Sequence, residues 1–290
     1  MAEREASRTA VLVCQARAVA DGRMAVGRFS DPIALQLLEP DEQRLVDEVR
    51  AGARPKSFGP RMEYEMLSTT AEVLAARTVA IDDAVRERGA PQLVILGAGL
   101  DARAWRMPEL AEVTVFEVDH PASQAVKHVR MGERTALTAV RFVPVDFGKD
   151  VLGAALAAAG HDETRPTTWI WEGVVPYLTS GEVAATIAEI ARRSAPGSRL
   201  IITYPTPNLV YHYGRKAMDV LLSVSGRTSP MAREPQRSSW TPERLAAVLR
   251  ERGFTATSDR NLLTVATEAG VDGNRAAFLG SGRIVVADRS

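Results

Sequence analysis

Two glycines and an acid, Gly97, Gly99 and Asp119, stand at the separation that a nucleoside-containing cofactor needs. Glycine has no Cβ, so the backbone through Gly97-Ala98-Gly99 can turn tightly and pass close to a ligand. A carboxylate about twenty residues beyond such a turn can hold a ribose hydroxyl pair. Glu117 lies one strand step before Asp119 and shares its face, so both acids are candidates for that contact. Asp146, followed by Phe147, and Glu172 each end a further apolar run. No lysine and Ser/Thr pair follows the glycines, which argues against phosphate chemistry. The stretch Gly97-Ala-Gly-Leu-Asp-Ala102 also satisfies the G-x-G-x-x-A dinucleotide pattern, so a nicotinamide cofactor is open at this point. Plainer readings stand beside each residue: an ordinary strand-to-helix turn, or Asp146 as a helix N-cap.

The elements around these residues alternate. Apolar runs at 93–96, 113–118, 140–145, 167–171 and 199–204 are of strand length. Helical patterns at 102–107, 122–132, 151–159 and 181–194 separate them. Strands joined by helices of this length build a parallel, doubly wound α/β sheet. Two late strands, at 253–258 and 283–287, bring the total to seven and suggest a terminal hairpin. About ninety residues precede the first strand and read as mostly helical: 7–21, a short helix opened by Asp31-Pro32, 41–50, and a long helix over 63–88. Residues 205–240 break the alternation with Pro205, Pro207, Tyr211, His212, Tyr213 and several Met and Arg, as an inserted helical lid would. The expected organisation is an N-terminal helical cap (1–90) and a core (91–290) that carries the lid.

Composition narrows the function. The chain has 290 residues, 46% of them apolar, and its 36 basic and 36 acidic residues cancel. No global field favours nucleic acid or an anionic membrane. Cys14 is the single cysteine, so neither an internal disulfide nor a cysteine-based metal site is expected, and no metal is assigned. No signal-peptide h-region and no membrane-length apolar run are present, so a cytoplasmic protein is expected, as a monomer or homodimer.

S-adenosyl-L-methionine fits the acids better than a dinucleotide does. It has a ribose diol, an adenine and a zwitterionic amino-acid end, and no phosphate to cradle. Asp146 after the third strand suits the adenine amino group. The chain resembles the leucine carboxyl methyltransferase-like family of class I S-adenosylmethionine-dependent methyltransferases, in particular its bacterial small-molecule O-methylating members. The resemblance rests on Leu96-Gly-Ala-Gly-Leu-Asp-Ala-Arg103, Phe116-Glu-Val-Asp-His-Pro121 and Trp171-Glu-Gly-Val-Val-Pro-Tyr-Leu178. It spans residues 7 to about 205 and implies a Rossmann-like sheet. It also implies that Gly97 approaches the cofactor, that Gly99 keeps the turn open, that Asp119 holds the ribose, and that Asp146 and Phe147 hold adenine. Arg77, on the helix before the first strand, would grip the cofactor carboxylate, a charge-assisted bidentate contact. Glu172 would lie near the amino-acid end, with Arg17 or Arg8 as a further basic contact.

Methyl transfer needs alignment of the partners and exclusion of water. A carboxylate acceptor needs no general base, whereas a phenol benefits from one, commonly His. Of the four histidines, only His212 lies in the expected lid, and it is the one base candidate. Tyr177, Arg61, Tyr64, Arg215 and Lys216 are candidate acceptor contacts. The expected activity is O-methylation of a small molecule, at a carboxylate. A phenol or hydroxyl, a protein C-terminal carboxylate, an NAD(P)-dependent oxidoreductase and a non-catalytic fold relative are the alternatives.

Overall fold

A computed structural model of the chain describes residues 7–147, 149–207, 236–271 and 279–290. Seven strands form one sheet: β1 (Gln92–Leu96), β2 (Thr114–Asp119), β3 (Val140–Pro144), β4 (Thr167–Trp171), β5 (Arg199–Pro205), β6 (Phe254–Asn261) and β7 (Gly282–Arg289). Their order is β3-β2-β1-β4-β5-β7-β6. Neighbours among β1 to β5 pair in parallel, and β7 runs antiparallel to both β5 and β6. This is the expected mostly parallel, doubly wound sheet.

A parallel sheet covered on both faces needs strands that are apolar throughout. All five residues of β1 and of β4 are accordingly buried. Alternation sends Leu93, Ile95, Val115, Ile170 and Ile201 into one core layer. It sends Val94, Leu96, Phe116, Trp169, Trp171 and Leu200 into the other, so both tryptophans are packing residues. Strand order reverses between β1 and β4. Open α/β sheets form their ligand crevice at the carboxyl ends of the strands at such a reversal, and Gly97 and Glu172 each follow one of these two ends.

The helices are α1 (Arg8–Ala20), α2 (Pro40–Arg50), α3 (Phe58–Arg88), α4 (Arg103–Arg106), α5 (Pro121–Met131), α6 (Leu152–Ala158), α7 (Ser180–Arg192), α8 (Pro242–Glu251) and α9 (Leu262–Glu268). α3 starts five residues earlier than the sequence pattern suggests. Gly59 and Pro60 occupy its first turn, where the amide that proline lacks would have no intrahelical partner. α3 then joins two cores. Leu67, Ala71 and Leu74 pack with α1, α2, Leu100 and Met131. Val79, Ile81 and Val85 pack under β1. The expected C-terminal hairpin is instead a pair of antiparallel neighbours, β6 and β7, with α9 between them. Seven residues are too few to show a helical period, but Asn261 caps α9 by accepting from the Leu263 amide at 2.7 Å. Among the described residues no helix is long and apolar enough to cross a membrane. The expected lid falls largely on residues 208–235, outside the described residues, and His212, Arg215 and Lys216 lie there with it.

His161 sits beneath the sheet, edge-on to Phe116 with centroids 5.4 Å apart and 5.3 Å from Trp169. Thr167 Oγ1 and Arg193 Nη2 lie 3.1 and 3.2 Å from its ring nitrogens. Burial, reinforced by Arg193, pushes its pKa down to about 4. A depressed histidine contributes stability that is complete above its unfolded value near 6.5 and is lost as pH falls through about 4. Urea denaturation at pH 7 and pH 5 should therefore show the wild type losing stability relative to His161→Gln. Parallel pH profiles for the two proteins would refute this.

Candidate cofactor site

The glycine turn hangs on the end of β2. The Gly97 and Ala98 amides both donate to Val118 O, at 2.8 and 3.1 Å, and the Gly99 amide donates to Asp119 Oδ2 at 2.5 Å. Asp119 Oδ1 accepts from the His120 amide at 2.6 Å. Gly97 and Gly99 both have left-handed backbones, φ +68° and +50°. A Cβ on Gly97 would lie 2.5 Å from Val174 Cγ2, and one on Gly99 would lie 3.3 Å from Ala10 Cβ. The turn is thus held between α1 and the segment after β4, with no room for side chains. Asp119 is half-buried at its mouth. A carboxylate offers about four acceptor positions, so two backbone amides leave capacity for a diol.

Across the reversal point, Glu172 ends β4 among three guanidinium groups. Arg77 Nε donates to its Oε1 at 2.9 Å, Arg103 Nη1 to its Oε2 at 3.1 Å, and Arg17 Nη2 to both oxygens at 3.2 and 3.1 Å. Burial alone would raise the pKa of Glu172, but Arg17, Arg77 and Arg103 together hold it well below the ordinary carboxylate range. Asp101 is the second acid of the cluster, paired with Arg103 and 3.7 Å from Arg17. Arg103 continues to Asp82 at 2.8 Å, and Asp82 to Arg106 at 2.7 Å. Arg106 also reaches Asp31 at 3.4 Å, so the network as a whole pairs four arginines (Arg17, Arg77, Arg103, Arg106) with four acids (Glu172, Asp101, Asp82, Asp31), and three of the arginines meet at Glu172.

Arg77 pairs with Glu172 and has two other arginines as neighbours. Burial lowers its pKa, Glu172 only partly offsets this, and Arg17 and Arg103 add repulsion. Its Nη atoms face Gly173, where an added Cβ would stand 3.8 Å from Nη2 and 4.0 Å from Nη1. Gly173 has φ +73°, and its amide donates to Thr203 Oγ1 at 2.9 Å. By charge, Arg77 suits a carboxylate and Glu172 an ammonium, which are the two charges of an amino-acid end. Between this pole and Asp119 lies the glycine turn, so the donor and acceptor set matches S-adenosylmethionine.

The other sequence candidates divide. Arg17 reaches Glu172, whereas Arg8 is exposed at the start of α1. Glu117, expected beside Asp119 at the ribose, is instead fully buried, and its Oε2 accepts from Lys127 Nζ of α5. Strand alternation places it on Asp119's face, but α5 covers it there. Asp146 is half-buried in the turn after β3, where Lys149 Nζ donates to it at 2.7 Å, and Phe147 next to it is about half exposed. Tyr177 is half-buried in the short turn that follows Gly173. Arg61 and Tyr64 lie on the first turns of α3, and Tyr64 precedes Arg77 by about 20 Å along the helix. Arg103, Asp101 and Lys127 received no role from sequence. Arg103 and Asp101 lie within the quoted glycine motif, two residues apart, which was their only signal. The remaining histidines have structural contacts: His120 caps α5 by accepting from the Ala122 amide at 3.2 Å, and His128 packs on Phe142 with centroids 4.1 Å apart.

Comparison with known proteins agrees with this geometry. The family model for leucine carboxyl methyltransferase matches residues 10–191. A candidate S-adenosyl-L-methionine-dependent methyltransferase of Streptomyces coelicolor is 37% identical over 199 residues, covering 64% of this chain and 62% of that protein. One of Mycobacteroides abscessus is 33% identical over 267 residues, covering 88% and 85%. The match thus spans less than two thirds of the Streptomyces relative's length. Among solved structures, a candidate methyltransferase from Thermobifida fusca has a similar fold, with TM-score 0.54, 15% identity, and coverage of 96% of this chain and 94% of that one. The chain belongs to the leucine carboxyl methyltransferase family.

Removing one partner of a buried ion pair costs about 3–5 kcal/mol, because the remaining charge is left without compensation. Glu172→Ala, which leaves Arg77 without its acidic partner and removes one from Arg17 and Arg103, should lower unfolding stability by about that much in urea titrations, and Glu172→Gln by less. Equal losses would mean that the charge is irrelevant. Gly97→Ala should destabilise by about 1–3 kcal/mol from its left-handed backbone and the Val174 contact. Adding Val174→Ala should recover the contact part alone, which thermal melts of the double variant would reveal.

Proposed function

We propose that this member of the leucine carboxyl methyltransferase family transfers a methyl group from S-adenosylmethionine to an oxygen of a small molecule, and that the oxygen belongs to a carboxylate. The observation that carries the reading is the pair of poles flanking Gly97. On one side is a ribose-type acid, Asp119. On the other is a carboxylate set among arginines, Glu172 with Arg77 and Arg17. In this reading Arg77 holds the cofactor carboxylate and Glu172 faces its ammonium. Asp119 takes the ribose diol, and Asp146 and Phe147 border the adenine.

The cofactor supplies an electrophilic methyl on a sulfonium. The chain's own work is to align that centre with the acceptor and to exclude water. No proton need be removed from a carboxylate acceptor, which is already ionised near neutral pH. The described histidines support this choice. His120 caps a helix, His128 packs on Phe142 and His161 is buried, so none of them is left for a base beside the Glu172 cluster. Tyr177 and the region around residue 212 are the proposed acceptor contacts, His212 among them.

Calorimetry with S-adenosylhomocysteine tests the cofactor. Loss of one charge-assisted contact, worth about 1.5–3 kcal/mol, should weaken binding roughly 10- to 150-fold in Arg77→Met and in Asp119→Ala. No binding by the wild type, or preferential binding of NAD(P), would sink the reading. Methyl transfer to phenols with none to carboxylic acids would overturn the acceptor class.

A further inference from the structure

Glu117 and Lys127 form a buried ion pair that the cofactor contacts above do not use. Glu117 is 0% exposed and Lys127 1%. One Lys127 ammonium bonds two groups: Glu117 Oε2 and the main-chain oxygen of Asp101. The ammonium also stands 5.1 Å over the Trp105 ring. Glu117 Oε1 is buried without a hydrogen-bond partner. The Glu117 main-chain oxygen accepts from Gln124 Nε2 of α5 at 2.8 Å.

The placement of these bonds matters more than their number. Asp101 lies two residues beyond Gly99, and Glu117 lies two residues before Asp119. Beyond the Gly97 and Ala98 amides on Val118 O, the far side of the glycine turn is bolted to β2 twice, through Gly99 N–H to Asp119 and through Asp101 C=O to Lys127 and Glu117. The first bolt uses the same carboxylate that a ribose would use. The second fixes how far the turn stands from it. We propose that Glu117 and Lys127 are positioning residues for the nucleoside half of the cofactor: ionised, the pair holds the turn at the spacing a ribose diol requires, and proton uptake by Glu117 releases it.

Three groups face Glu117 closely enough to set its charge: Lys127 from α5, Asp101 from the turn and Asp119 on its own strand. Burial pushes the Glu117 carboxyl up to about 7; Lys127 pulls against this while the two aspartates add to it. Once Glu117 takes a proton, Lys127 keeps a buried ammonium with only a carbonyl and an aromatic face. Movement of Lys127 toward water then takes Asp101 with it. Binding of the cofactor and loss of the Glu117 proton are linked, and each favours the other.

The inference rests on the cofactor reading above, and the experiment separates the two. The dissociation constant of S-adenosylhomocysteine should rise roughly tenfold between pH 8 and pH 6, with a midpoint near 7. 5′-Methylthioadenosine, which lacks the amino-acid end, should show the same dependence, placing its origin away from Glu172. Glu117→Gln and Lys127→Met should bind more weakly at pH 8 and lose the dependence, whereas His120→Asn should keep it. Calorimetry of the wild type at pH 7 in buffers of differing ionisation enthalpy should report release of a fraction of a proton, a readout that needs no variant to fold. A pH-independent wild type, a Glu117→Gln protein that keeps the wild-type profile, or binding without proton release overturns the proposal alone. Failure of the wild type to bind either compound at any pH overturns the cofactor reading and the proposal with it.

Discussion

A carboxylate buried among guanidinium groups is the constraint around which this molecule is assembled. Glu172 gathers Arg17 from α1, Arg77 from α3 and Arg103 from α4 onto the carboxyl end of β4. Charges taken out of water are tolerated only when partners compensate them closely. Each arginine is therefore committed to one place, and with it the helix that bears it. The chain from Arg103 through Asp82 to Arg106 and Asp31 extends the same logic to the base of the N-terminal helices. Packing by apolar residues would hold these helices as well. It would not fix which side chains meet at the end of β4.

The two halves of the site solve different problems. At the glycine turn the difficulty is space. Val174 and Ala10 approach so closely that only backbone fits, and left-handed dihedrals are needed to bring the Gly99 amide onto Asp119. At Glu172 the difficulty is charge, and the solution is a network in which each buried arginine meets at least one carboxylate. The halves meet in Asp101, whose carboxylate belongs to the arginine cluster and whose carbonyl belongs to Lys127. The glycine turn and the arginine cluster share this one residue.

Much of this was readable in the chain, and the exceptions have physical causes. Runs of apolar residues revealed β1 and β4 because a strand buried on both faces has nothing else to show. The turn, Asp119 and Glu172 were readable because each closes such a run. Glu117 was misplaced because alternation gives the face of a strand and says nothing about what covers that face. Asp119 lies at the strand's open end, and Glu117 lies under α5. Lys127 and Arg103 were passed over because a lone cation in a helical pattern looks solvated until a partner from another element buries it. The start of α3 was missed because proline and glycine read as loop residues, although the first helical turn tolerates both. Residues 208–235 are the least readable stretch of the chain, since no periodic pattern stands out there.

The contact of Arg17 with Glu172 spans 155 positions. At synthesis rates of 5–20 residues per second, roughly 10–30 s separate the two residues as they leave the ribosome. Through that interval α1 can pack on α2 and α3, but Arg17 lacks its Glu172 partner. A helix that can pack early thus waits for β4 before the contact it lends to the site can form.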